Sequence, residues 1–298
     1  MTRLLRLSLL AVLLLTLAGC NTGLKLAYQN LDRLALWTLG DYLSLDKAQK
    51  TAFRREFGSL QAWHRSTQLP LYSADLRSLA TAFEQDPVPR DALERAMSQI
   101  EAHATRVWEQ AQPATVSLLA SLRDEQIEAF GKRSRERIND DEAERADEKL
   151  ADRRKRWLRE QRENLERWTG RLNDRQKQLL DAGWQRRQPS LLSPEQRKAQ
   201  RLADVDEFAT VLASRHEPGL IDRLSANGDQ REQARSTRDS ARDRSLLIEL
   251  LQACDARQRQ HVRERLLELA DDFDALAQSA QSTKSAKPAA ASIAQPAA

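Results

Sequence analysis

The sequence predicts an all-α protein, an elongated multi-helix bundle with a long charged helix. Three observations predict it. The chain of 298 residues holds only 9 Gly and 9 Pro, and its few β-branched residues among much Ala, Leu, Gln, Glu and Arg leave little material for strands. One spelling recurs five times: Leu45-Asp46-Lys47-Ala48-Gln49, Leu122-Arg123-Asp124-Glu125-Gln126, Leu172-Asn173-Asp174-Arg175-Gln176, Leu192-Ser193-Pro194-Glu195-Gln196 and Cys254-Asp255-Ala256-Arg257-Gln258. In four of the five, Asp, Asn or Ser stands where an N-cap would, with Gln three residues later, and the preceding apolar residue can act as a staple. Pro194 at a first helical position fits the same reading.

In chain order the apolar periodicity predicts helices near 24–39, 46–66, 69–85, 90–121, 124–169, 174–188, 194–215 and 235–278. Pro70, Asp86-Pro87 with Pro89, Gly170, Pro189, Pro218-Gly219 and Asn227-Gly228 punctuate the pattern. Pro113 should kink or split the helix that contains it. The long charged helix carries 14 basic and 14 acidic residues between Arg123 and Arg167. Opposite signs recur at i,i+3 and i,i+4, as around Glu144, Arg145, Glu148 and Lys149, so neighbours neutralise one another. Leu158, Leu165 and Leu172 fall seven apart, with Ala151 and Trp168 near the same seam. So narrow a stripe asks for one partner helix, either from the same chain or from a second copy in a homodimer.

The N-terminal end predicts export. Arg3 and Arg6 precede an apolar run, Leu7 to Leu17, of 11 residues, where a membrane-crossing helix needs roughly 20. A short basic segment, a short apolar run and then small residues have the layout of a signal peptide. Leu17-Ala18-Gly19-Cys20 resembles the bacterial lipobox, which implies cleavage before Cys20 and a lipid on its thiol. Two or more acyl chains hold a protein on a bilayer stably. Asn21, rather than Asp, resembles the sorting signal for the outer membrane. The expected organisation is a signal peptide at 1–19, a lipidated terminus and linker at 20–23, a helical periplasmic body at 24–278 and a disordered tail at 279–298. That tail is Ala, Ser, Pro and Lys without large apolar residues, a composition that cannot build a core.

Without Arg3 and Arg6, 46 basic residues face 44 acidic ones, so the body has no electrostatic case for nucleic acid. Acylation of Cys20 would leave Cys254 as the remaining thiol, which excludes an internal disulfide and a cysteine metal site. His64, His103, His216 and His261 are widely separated and show no i,i+4 spacing of the kind used for zinc. No Gly-rich phosphate loop or nucleophile elbow is present. The sequence therefore assigns no catalytic residue, metal or cofactor, and favours binding over chemistry.

The densest aromatic and polar block lies early. Tyr28, Asn30, Leu31, Asp32, Leu34, Leu36, Trp37, Asp41 and Tyr42 are followed by Ala62, Trp63, His64, Arg65, Leu69, Pro70 and Tyr72. Leu31, Leu34, Trp37 and Tyr42 share a helical face, which makes them core candidates, and His64 with Arg65 would then meet Asp32 or Asp41. Alternatively Tyr28, Asp32, Trp37, Tyr42, Trp63, His64, Arg65 and Tyr72 line a membrane-proximal interaction surface. The combination Tyr-x-Asn-Leu-Asp, Ala-Trp-His-Arg and Leu-Pro-x-Tyr resembles the signature of a Gram-negative lipoprotein family of unknown function. The expected role is a structural or protein-interaction module on an envelope protein. A holdase-type chaperone is the alternative, because the repeated helix starts also resemble the Leu-Thr-x-x-Gln motif of small helical periplasmic stress chaperones, although threonine is missing from all five.

Overall fold

The computed structural model describes residues 26–285, with side chains described outside 227–240 and 280–285. The leader, Leu17, Ala18, Gly19 and Cys20, and the tail beyond 285 lie outside the described residues. Every regular element among the described residues is helical, as the sequence predicts. After a helical turn at 26–29 come α1 (Leu31–Gly40), α2 (Lys47–Trp63), a π-helical turn (His64–Gln68), α3 (Leu69–Ala82), α4 (Arg90–Ala120) and α5 (Asp124–Glu144). Then follow α6 (Leu150–Thr169), α7 (Asp174–Arg187), a 3-10 turn (Gln188–Ser190), α8 (Pro194–Ala213), α9 (Leu220–Gln252) and α10 (Ala256–Ser285).

The repeated helix starts do more than cap. Gln49 and Gln126 each close their own helix start, accepting from the backbone N–H of Asp46 (3.0 Å) and Arg123 (2.9 Å). The two side chains also clasp each other: Gln49 Nε2 donates to Gln126 Oε1 at 3.1 Å and Gln126 Nε2 to Gln49 Oε1 at 3.0 Å. Their remaining donor capacity reaches across to the Ser121 and Ser44 carbonyls. At the other pair of starts, Gln258 Nε2 donates to Gln176 Oε1 (2.8 Å) and the Arg171 carbonyl (2.9 Å), Gln176 Nε2 to the Leu250 carbonyl (3.1 Å), and Asn173 Nδ2 to the Ala253 carbonyl (2.8 Å). All four glutamines are buried, and burying an amide is tolerated only where its donors and acceptors are met.

Two knots therefore pin the start of α2 to that of α5, and the start of α7 to that of α10. The staple residues Leu45, Leu122, Leu172 and Cys254 are buried beneath them. Cys254 thus stands where the other starts place leucine, and burial pushes its thiol up to about 11. The fifth start makes its capping box at Ser193 and Gln196, but it is exposed.

The core is divided among four clusters. Leu36, Leu122, Phe130, Ile138 and Leu212 join α1, α4, α5 and α8. A second cluster joins the end of α3 and start of α4 to α9 and α10 through Phe83, Leu93, Ile248 and Leu266. The third sets Tyr28 and Leu69 against Leu269, Phe273 and Leu276 of α10. The fourth holds Leu165, Leu172 and Leu180 against Leu246 and Leu250 of α9. From Leu224 in the first cluster to Ile248 in the second, α9 rises about 36 Å, which links widely spaced parts of the core.

Several expectations need correction. The long charged helix predicted over 124–169 is two helices, separated at 145–149. At the end of α5 the buried Glu142 is clamped by α8, accepting from Arg197 Nε at 2.9 Å and Arg201 Nη1 at 2.9 Å. The Leu158 and Leu165 stripe of α6 instead packs toward α7 and α9. One straight helix cannot serve both contacts, so the chain turns between them. That stripe packs against the chain's own helices. The helix predicted over 235–278 is likewise two, α9 and α10, and α9 begins at Leu220, passing through Asn227-Gly228. Helix α10 continues to Ser285, beyond the predicted end of the body, and α4 runs uninterrupted through Pro113.

Arg197 foremost, joined by Arg201, holds the Glu142 carboxyl down to about 2 against the opposing effect of burial. Glu142→Gln should lower unfolding free energy by about 2 kcal/mol, discounted because both arginines are partly exposed. The midpoint of urea denaturation checks this.

Candidate functional site

The site grows from a local conflict around Pro70. Proline has no N–H to give the Ser66 carbonyl, and its ring presses on that position in an α-helix. The chain widens into the π-helical turn His64–Gln68, in which the Leu69 N–H reaches the His64 carbonyl. Ser66 Oγ donates to the Ala62 carbonyl (3.0 Å) and Thr67 Oγ1 to the Trp63 carbonyl (2.8 Å), supplying donors where the helical ladder changes register. These hydroxyls are thereby committed to the backbone. Helices α2 and α3, predicted as separate, run into one another through this turn.

The widened turn directs His64 inward. Its Nδ1 lies 2.9 Å from the Tyr28 hydroxyl, and Gln61 Nε2 donates to the Tyr28 carbonyl at 2.5 Å. Arg65 lies over the Tyr28 ring, 5.1 Å from its centroid. Tyr72, two turns further on, stands edge-on between two histidines, with centroids 5.4 Å from His64 and 4.5 Å from His103. Phe273 of α10 closes the far side at 6.0 Å. His103 Nε2 is 2.6 Å from Asp75 Oδ2, while Arg106 Nη1 is 3.0 Å from His103 Nδ1. Arg106 can only donate, so Nδ1 of His103 accepts and the ring proton sits on Nε2, facing Asp75. Gln99 Nε2 donates to the other Asp75 oxygen at 2.7 Å.

Burial sets the charge states here. Burial, assisted by the nearby His103, depresses His64 to about 4, so the ring is neutral at neutral pH. Burial raises Tyr28 to about 12, opposed by Arg65, and raises Tyr72 as well. The result is a stack of rings edged by Arg65, Arg106 and Asp75. Arg65 Nε and Gln68 Oε1 are buried and find no hydrogen-bond partner among the described residues.

The eight predicted site residues divide. Tyr28, His64, Arg65 and Tyr72 come together as described. Tyr42 lies elsewhere, 6.4 Å from Phe130 and under Arg137. Asp32 is 4.0 Å from Arg54, so His64 meets a tyrosine hydroxyl instead of that carboxylate. Trp37 is 67% exposed and Leu34 39% exposed, because α1 buries Leu36 and packs Leu39 against the core. The face predicted to be core is therefore turned outward at these two positions. Trp63 is half-buried, one residue before the π-helical turn. Sequence reading missed Asp75, His103, Arg106 and Phe273. The i,i+3 pairs Tyr72 with Asp75 and His103 with Arg106 are visible in the sequence, but nothing there joins α3, α4 and α10.

A family model matches residues 41–237, well over half of the chain, and its description is a family of unknown function, DUF6279. The chain belongs to this family. The match to DUF6279 takes in the π-helical turn, Tyr72, Asp75, His103 and Arg106, whereas Tyr28 and Phe273 complete the cluster from outside it. No curated protein and no solved structure matches the chain. Among the described residues no helix is long and apolar enough to cross a membrane.

Proposed function

We propose that this DUF6279 protein is an outer-membrane lipoprotein, anchored through Cys20, whose helical periplasmic body docks a protein of the envelope. The lipobox Leu17-Ala18-Gly19-Cys20 supports the anchor. The observation that carries the docking reading is the π-helical turn, which holds Arg65 over the Tyr28 ring and His64 against its hydroxyl while Ser66 and Thr67 are exposed. π-helical turns cost regular hydrogen bonding and recur at functional positions. The cluster lies early in the body, with Tyr28 eight residues beyond Cys20, so a partner docking there would sit near the membrane.

The test is a photo-crosslinking residue in place of Ser66 in the lipidated protein in cells, with adducts identified by mass spectrometry. Ser66 is exposed and its hydroxyl bonds only the Ala62 and Trp63 carbonyls, so its replacement removes no contact within the ring cluster. One dominant envelope-protein adduct is expected. Absence of an adduct removes the docking reading, and a spread of many unrelated clients moves the protein to the holdase class.

A further inference from the structure

Helix α1 has two dissimilar sides. Leu36 is buried and Leu39 packs with it against the first core cluster. On the opposite side Leu34 and Trp37, at i,i+3, are 39% and 67% exposed, with exposed Arg33 beside Leu34. Leu26, in the preceding helical turn, is 61% exposed. Leu34 and Trp37 thus form an exposed apolar face on α1, and Leu26 in the turn before it is a second large leucine turned to water.

The position of this face in the chain says what covers it. Only six residue steps separate Leu26 from Cys20, and six residues span at most about 20 Å even when fully extended. If Cys20 carries the lipid, Leu26 stays within that distance of the bilayer surface in every arrangement. Tryptophan favours the headgroup level, where its ring is in apolar surroundings and its N–H remains wet. Amphipathic helices lie in the same layer with their apolar side down and basic residues toward the headgroups.

We propose that the Leu34 and Trp37 side of α1, together with Leu26 of the preceding turn, rests in the headgroup region of the anchoring membrane, fixing the orientation of the body on it. The inference rests on the lipid-anchor reading. It makes α1 a second membrane attachment that presents the neighbouring His64–Arg65 turn beside the bilayer.

The test uses the full lipidated chain carrying Leu34→Cys or Trp37→Cys, each labelled with an environment-sensitive fluorophore. Cys254 is buried and Cys20 would be acylated, so the introduced thiol takes the label. A third protein, Asp174→Cys, labels an exposed position beside the α7–α10 knot, at the end of α10 away from Phe273. Each is reconstituted into phosphatidylethanolamine–phosphatidylglycerol vesicles with and without spin-labelled lipids. Spin-labelled lipids should quench emission at 34 and 37 by roughly twofold or more and leave 174 unchanged, as expected for a helix lying in the interface. Protein that floats with the vesicles yet shows no quenching at 34 and 37 overturns the membrane face while leaving the anchor intact. A blue shift at these positions without lipid quenching also overturns it, since a protein then covers the face. Protein that does not float, with no acyl mass on Cys20, overturns the anchor reading and this inference with it.

Discussion

Gln176→Ala should lower unfolding free energy by about 3 kcal/mol, whereas Gln196→Ala should cost less than about 1 kcal/mol. The two glutamines hold the same position in the same local spelling. Gln196 caps an exposed start and makes no hydrogen bond to another segment among the described residues, so its loss is one exposed capping bond. Gln176 has no solvent exposure. It accepts from the Asn173 N–H and Gln258 Nε2, and donates to the Leu250 carbonyl. Alanine there leaves a buried void and orphans groups on two other segments, whose desolvation is no longer offset. Urea midpoints for both variants, followed by helix ellipticity, measure the contrast. Equal losses would reduce the knot to ordinary capping.

Acid should destabilise the native protein through His64 by up to about 2 kcal/mol, less than the full shift implies because the ring is only partly buried. His64 has its ordinary value of 6.5 when unfolded and about 4 when folded. Between those values the unfolded chain binds the extra proton, so stability falls as pH drops through this window and is fully present above it. The groups facing the ring are Tyr28 and Tyr72, with Arg65 over Tyr28 and His103 behind Tyr72. Among the described residues the added cationic charge meets no carboxylate at His64, since Asp75 is taken by His103 and Gln99. Urea midpoints at about pH 7 and about pH 4.5, for the native chain and His64→Gln, isolate the effect. Glutamine keeps a polar group near Tyr28 but cannot titrate here, and the native chain should lose more on acidification. Equal pH dependence in the two proteins would assign acid sensitivity elsewhere.

Much of the fold was legible. Low Gly and Pro, together with the apolar period, predicted helices, and the starts at Asp46, Arg123, Asn173 and Ser193 were read from short-range chemistry that needs nothing distant, whereas the same spelling at Asp255 was overridden by the apolar period that carried one helix across it. Half of the proposed site was legible for a similar reason. Tyr28, His64, Arg65 and Tyr72 stand out by type and crowding within one stretch. Trp37 and Tyr42 stand out equally, yet one faces water and the other lies in a different cluster, because aromatic character alone does not reveal which neighbour an aromatic meets.

The sequence by itself determined the helical class and the capping chemistry of most of the starts, and its N-terminal end resembles a lipobox. Those properties reside in a few consecutive residues, so the local chain suffices to encode them. Only the tertiary structure decided that four of five alike starts pair into two knots, that the charged run turns at 145–149, and that His103 and Asp75 complete a stack begun by Tyr28. Each of these depends on contacts between segments tens of residues apart. Their partners are selected by which buried amides, carbonyls and guanidinium groups satisfy one another across packed helices, a condition that no local pattern states.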